Sequence, residues 1–426
     1  MTAQENAVKL LKDWKKDSYI FGSNVVGKLG ELVRPYGKKV LLVGSSAHHP
    51  EFTEKAIASL KEAGIELLSG GMVKGARPNA PREDVYRLES WILHYQPEAV
   101  VCIGGGSAID ACKAAIALSV LGKDVTPEID HYFGTGVVAA ELEKTGKKML
   151  PLIAVETASS SGAHLTKYSN ITDPVSGQKK LIVDNAIVPP ASLFDYDATH
   201  TMPGRVLIDG ALDGIAHTVE VFLSANASNY ALAEEICRTA LDLIFSAAKK
   251  LIEAPEDKDA HEALGLATDL GGYAIMIGGT SGAHLTSFSL VDVTAHGTAC
   301  GIMNPYYIVF YAPAVRKQLL SIAEILQKHG LISGGYEELN ERALAIAVAE
   351  GFISFSRAIG APVSLGELPG FTDAHVDKIL TAAKDPQLKM KLQNMPIPMT
   401  ADDVYPYMES VILAAKAGNP ELVMNK

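Results

Sequence analysis

The sequence predicts an α/β domain built on a mainly parallel sheet, followed by an all-helical domain. Three observations lead there. At 426 residues the chain exceeds the size at which one hydrophobic core usually stops growing, so two domains are expected. Its first half alternates short apolar runs with amphipathic helical patterns, as βα units do. After about Asp197, long Ala/Leu/Ile-rich helical patterns take over and β-branched runs become scarce.

The elements follow in order. Lys38-Lys39 leads into the strand Val40-Leu41-Leu42-Val43, which exits at Gly44 and Ser45. A helix from about Pro50 to Ala63 stops at Gly64, and Ile65-Glu66-Leu67-Leu68 begins the next strand. Glu98–Ile103 is a second buried strand, running into Gly104-Gly105-Gly106-Ser107 and a helix to about Leu121. A third, Met149–Val155, ends in the small-residue loop Thr157–Gly162. Ligands of open α/β sheets bind at the carboxyl ends of the strands, so these three turns are expected to face one crevice. The boundary is placed at Thr199-His200-Thr201-Met202-Pro203, giving domains 1–198 and 199–426, with Thr201 expected to cap a helix that starts near Pro203.

Composition narrows the function. The formal charge of -11 argues against a chain that wraps nucleic acid, which needs clustered Lys and Arg. Four cysteines, Cys102, Cys112, Cys237 and Cys300, form no CxxC pair and no disulfide framework, so a reducing compartment is expected. The first residues resemble neither a secretory nor a transit peptide, and no apolar run reaches the length of a membrane span. A cytoplasmic protein without a membrane partner is the resulting expectation.

Two sets of residues carry chemistry. In Gly104-Gly105-Gly106-Ser107-Ala108-Ile109-Asp110, glycines let backbone N–H groups approach an anion at the positive end of a helix, which suits a pyrophosphate. A tight turn that needs glycine only for its backbone angles is the alternative. The pattern Gly134-Thr135-Gly136-Val137-Val138-Ala139 also matches G-x-G-x-x-A, but no convincing strand precedes it, so it is read as a loop.

In the helical half, Asp213 and His217 stand four apart, which puts both on one helix face. Taken alone they are better read as a surface pair, because so short a spacing match recurs by chance. His284 and His296 change the balance, because each lies in an apolar, small-residue setting where a buried imidazole needs a partner. One carboxylate with three imidazoles suits Fe²⁺ or Zn²⁺, whereas an all-oxygen set would suit Mg²⁺ or Ca²⁺. The hexapeptide Ser-Gly-Ala-His-Leu-Thr occurs twice, at 161–166 and 281–286, without any longer period. Its two histidines, His164 and His284, are therefore judged separately; the other histidines are expected at the surface or in caps.

Together these residues resemble the iron-containing alcohol dehydrogenase family. The likeness runs from Phe21-Gly22 through Arg77-Pro78-Asn79-Ala80-Pro81, Gly104–Lys113 and Asp213–His217 to His296-Gly297 and Met395-Pro396-Ile397-Pro398-Met399-Thr400. It implies an N-terminal, Rossmann-like dinucleotide-binding domain, a helical C-terminal domain and a divalent metal, with Asp213, His217, His284 and His296 as ligands. It further implies that the triple-glycine loop holds the pyrophosphate of NAD(P)(H) and that Asn79, Thr157, Ser161, Thr166 and Lys180 line the cofactor site. Homodimers or larger homo-oligomers are the family's tendency.

Two departures stand out. Many relatives carry a second histidine four residues after the third ligand, where this chain has Phe288, and the spacing from His284 to His296 is short at twelve. His164 stands where relatives commonly have Glu. The expected activity is hydride transfer between NAD(P)(H) and a small alcohol or carbonyl compound. The nearest acid after the first strand is Glu51, beyond Gly44-Ser45-Ser46-Ala47-His48-His49, so no carboxylate guards the ribose and NADP(H) is favoured. The rivals are a non-redox cyclase or lyase resembling 3-dehydroquinate synthase, disfavoured by the scarcity of Lys and Arg around the ligands, and a catalytically silent nucleotide-binding protein.

Overall fold

The computed structural model describes residues 1–45 and 49–426. Contacts divide them into two units: Leu11–Ala158 with Gly162–Met202, and Pro203–Lys426 with Met1–Leu10 and Ser159–Ser161.

The first unit is the α/β one. Its strands are β1 (Tyr19–Gly22), β2 (Lys39–Gly44), β3 (Glu66–Lys74), β4 (Ala99–Gly104), β5 (Gly134–Thr135), β6 (Leu152–Glu156), β7 (Tyr168–Asp173), β8 (Gln178–Val183) and β9 (Ala191–Asp195). Six of them form a fully parallel sheet in the order β1-β9-β6-β4-β2-β3. A parallel sheet is covered on both faces, which is why its strands read as unbroken apolar runs. Leu41, Val43, Val100 and Cys102 pack on one side with the helices Arg82–Tyr95 and Gly106–Leu121. Val40, Leu42, Val101 and Ile103 pack on the other with the helix Pro50–Glu62. The chain runs from β2 outward to β3 and then crosses back to β4 on the opposite side of β2. This reversal is a topological switch point, at which the ends of neighbouring strands diverge and leave room for a ligand.

Some boundaries differ from the expectation. The strand expected from Met149 begins at Leu152; Pro151 has no N–H and takes part only by accepting from the Val100 N–H. The strand expected to start at Ile65 is β3, Glu66–Lys74. The small sheet β5-β8-β7, and the strands β1 and β9, were not anticipated; β7 is Tyr-Ser-Asn-Ile-Thr-Asp, too polar to read as a buried run.

The second unit contains no strand. Its first helix, Gly204–Leu223, is buried at nearly every position from Gly210 onward, and it packs with Tyr230–Glu253, Lys258–Ile277 and His296–Phe310. Pro203 is its N-cap, and the expected cap Thr201 instead places Oγ1 2.9 Å from His49 Nδ1. Among the described residues no helix is long and apolar enough to cross a membrane.

Candidate metal centre

Asp213 and His217 project from the helix Gly204–Leu223, His284 from the six-residue helix Gly282–Ser287, and His296 from the first position of His296–Phe310. Gly297 lets this last helix approach: a Cβ there would stand 1.9 Å from the Asp209 carbonyl oxygen and 2.9 Å from Asp213 Cβ. Close passage of the two backbones therefore depends on a missing side chain, and it sets His296 beside Asp213.

Three imidazoles surround one carboxylate oxygen. Asp213 Oδ1 lies 3.8 Å from His217 Nε2, 3.5 Å from His284 Nε2 and 3.6 Å from His296 Nε2. Ligands about 2.1 Å from a tetrahedral metal stand about 3.4 Å apart, so these separations suit a shared cation. Asp213 Oδ1 and His284 Nε2 are buried without a hydrogen-bond partner, which costs free energy unless something between them bonds to both. A divalent ion of the Fe²⁺ or Zn²⁺ kind meets that need.

The charges fit. Burial pushes the Asp213 carboxyl upward, but His217, His296 and His284 outweigh it and hold the group well below the ordinary range. Burial draws His217 down to about 4 against the pull of Asp213, leaving a neutral imidazole near neutral pH. For His284, burial is outweighed by Cys300, Glu220 and Asp213, so its value lies above the ordinary one.

Four further residues escaped the sequence reading. Glu220 is fully buried; its Oε1 meets His284 Nδ1 at 2.6 Å and its Oε2 accepts from the Ser281 N–H and Oγ–H. It thereby turns His284 Nε2 toward Asp213, as a carboxylate behind a ligating histidine does. Its signal was present, since 213, 217 and 220 fall on one helix face. Ser287 Oγ, 3.1 Å from His296 Nδ1, orients the other ring. Cys300 is buried, and its sulfur lies within 4.8 Å of ligand atoms of Asp213, His284 and His296. Lys391 is also buried: it donates to Thr280 Oγ1, and its Nζ lies 5.5 Å above the ring of Phe288, which itself stacks on His296. Burial pulls this ammonium down to about 8. The scarcity of cations in the neighbouring sequence thus gave an incomplete picture, because Lys391 comes from a distant helix.

His164 is fully buried, but in the α/β unit, with Nδ1 3.2 Å from Glu156 Oε2 and Nε2 3.1 Å from Tyr19 Oη. His261, expected at the surface, is buried with Nε2 2.8 Å from the Pro255 carbonyl oxygen, whereas His375 does cap a helix.

For the expected dinucleotide site, Gly44 and Gly104 end β2 and β4 on either side of the switch point, and Ser45 is exposed. Gly105 caps the helix Gly106–Leu121 without a side-chain hydrogen bond, leaving its positive end available. Asn79, at φ 63°, donates its N–H to Ser107 Oγ, which ties the two loops together. Asp110 is turned inward: its Oδ2 accepts from the Asn170 backbone and side chain. Thr166 is buried and its carbonyl accepts from Lys113 Nζ, which also bonds the carbonyls of Ala163 and Tyr168. Thr157 follows β6 and donates its N–H to Glu156 Oε1, and Lys180 bonds to Asp130. Ser161 groups with the helical unit. Ser46, Ala47 and His48, on which the nucleotide preference was argued, lie outside the described residues.

Known proteins give the same reading of the architecture. Residues 17–196 match the profile of the iron-containing alcohol dehydrogenases, and residues 207–412 match that of the C-terminal part of the same family. The chain is 28% identical to a NADPH-dependent butanol dehydrogenase of Clostridium saccharobutylicum over 74% of this chain and 77% of that one. It is 24% identical to a NAD-dependent methanol dehydrogenase of Bacillus methanolicus over 82% and 87%. Among solved structures it resembles NADH-dependent butanol dehydrogenase A of Thermotoga maritima, with a TM-score of 0.73 and 25% identity, covering 93% of this chain and 96% of the other. With matching profiles across both halves and the Asp/His cluster between three helices, the chain belongs to the iron-containing alcohol dehydrogenase family and is one of its oxidoreductases.

Proposed function

We propose that this protein interconverts small alcohols and their aldehydes or ketones with NAD(P)(H), using a divalent metal held by Asp213, His217, His284 and His296. One observation carries the reading: Asp213 Oδ1 stands 3.5 to 3.8 Å from three imidazole nitrogens while lacking any hydrogen bond of its own. When bound, Fe²⁺ or Zn²⁺ supplies Lewis acidity toward the substrate oxygen, and the nicotinamide supplies or accepts hydride.

The chain's own residues prepare this chemistry. Glu220 and Ser287 fix the His284 and His296 rings, so that their Nε2 atoms need no reorganisation. His296, with its side chain 21% exposed against 4% for His284 and Asp213, marks the side from which substrate reaches the centre. Phe288, stacked on His296, sets an apolar face beside the centre and favours an uncharged substrate body. In the division of labour, residues 1–198 bind the dinucleotide through Gly44, Ser45, Asn79, Gly104, Gly105, Gly106, Ser107, Thr157, Ser161 and Lys180, with the buried Asp110 and Thr166 holding the surrounding loops in place, while residues 199–426 bind the metal.

NADP(H) is taken as the preferred nucleotide, in line with the NADPH-dependent butanol dehydrogenase but not with the NAD-dependent methanol dehydrogenase among its relatives. The active form is a homodimer or larger homo-oligomer. The test is reduction of a broad panel of short-chain carbonyl compounds by metal-loaded protein with each reduced cofactor. Turnover of several aldehydes, fastest with NADPH, is expected. Conversion of a phosphorylated sugar without net redox change, and of no aldehyde, overturns the reading; a strong NADH preference overturns the nucleotide assignment alone.

A further inference from the structure

Cys300 has no role in the account so far, yet of the four cysteines it alone stands in a cluster of ligand atoms. It follows His296 by four residues on one helix, so its thiol projects from the same face one turn further in. It is fully buried, so it approaches from the interior, whereas the accessible side of the centre is at His296. The atoms of Asp213, His284, His296 and Cys300 all lie within 4.8 Å of one another, and His217 is not among them. Two of these atoms, Asp213 Oδ1 and His284 Nε2, are among the buried groups without a hydrogen bond. A thiol is a weak donor and a poor remedy for them; a cation shared with its sulfur satisfies all at once.

Resting on the proposed function, we propose that Cys300 is a direct metal ligand, making the centre a mixed carboxylate, imidazole and thiolate site. Binding breaks the S–H bond: the sulfur keeps the electron pair and donates it to the metal, and the proton passes to buffer. With Asp213, the thiolate neutralises the two positive charges of the ion. A soft sulfur donor also biases the site toward Zn²⁺ or Co²⁺ over metals that prefer oxygen.

The test is replacement of the native metal by Co²⁺ in the full-length protein, followed by absorption spectroscopy. Visible d–d bands report that the ion has entered the Asp/His centre. A sulfur-to-cobalt charge-transfer band in the near ultraviolet reports the thiolate. Both are expected in the unaltered protein and in Cys237→Ala, whose cysteine lies on another helix. Cys300→Ser and Cys300→Ala should keep the d–d bands, shifted, and lose the charge-transfer band. Visible bands without a charge-transfer band in the unaltered protein, or a charge-transfer band that survives in both Cys300 variants, overturn the assignment of Cys300 while leaving the centre intact. Failure of the unaltered protein to take up Co²⁺ overturns the centre itself.

Discussion

The same six residues, Ser-Gly-Ala-His-Leu-Thr, meet two different fates in this molecule. At 161–166 they form a short 3-10 turn in which both ring nitrogens of His164 face side-chain partners, Glu156 and Tyr19. At 281–286 they wind into an α-helix in which Glu220 takes only Nδ1 of His284 and leaves Nε2 facing Asp213 without a hydrogen bond. Both histidines are buried, and both stand against a glutamate. What separates the structural histidine from the proposed ligand is the second nitrogen, and its environment comes from segments far away in sequence.

The largest expected effect tests how that environment is assembled. Gly297→Ala introduces a methyl group into a space where the Asp209 carbonyl lies 1.9 Å away, so the His296 helix must move off Asp213. Loss of bound metal and of nearly all turnover is expected, with the secondary structure retained by circular dichroism; full metal occupancy would show that close approach of this helix is unnecessary. Next in size is Glu220→Gln, which keeps the shape but replaces the carboxylate behind His284. Metal affinity should fall about 10- to 100-fold, as for other partners of ligating histidines. An unchanged dissociation constant would remove Glu220 from the account.

On the other side of the comparison, His164→Ala should cost stability, because Glu156 is left buried without its imidazole. A loss of about 1–3 kcal/mol is expected from denaturant unfolding, and an unchanged midpoint would mean that the pair contributes nothing. The smallest effect concerns pH. In metal-free protein His217 is held near 4, whereas an unfolded histidine titrates at about 6.5. Between those values the unfolded chain binds more protons, so this group's contribution makes stability rise with pH through the window and fully destabilises below it. The melting temperature of the unaltered protein minus that of His217→Gln should accordingly increase from pH 4 to 6.5; a flat difference would contradict the burial of His217.

The contrast between the repeats also explains what the sequence reveals and what it hides. The parallel sheet was legible because strands covered on both faces carry runs such as Val40–Val43, and the glycine turns announced their ends. Asp213 and His217 were legible as neighbours on one helix face from their spacing, although spacing alone favoured a surface pair. His284 and His296 were legible only as histidines in unexpectedly apolar surroundings and by family likeness. Lys391 was not legible, since it lies more than a hundred positions from the Thr280 that it bonds. Cys300 and Glu220 were hidden for another reason: each repeats helical spacing from a chosen residue, but buried cysteine and glutamate have structural uses as well. The polar hairpin of β7 and β8 carries no apolar alternation strong enough to declare it.

The most direct test of the central claim is the metal content of His284→Ala and His164→Ala, measured side by side on purified, metal-loaded protein. The account predicts that His164→Ala binds as much metal as the unaltered protein, whereas His284→Ala binds almost none and has almost no turnover. Full occupancy and activity in His284→Ala, or loss of metal from a folded His164→Ala, would contradict it.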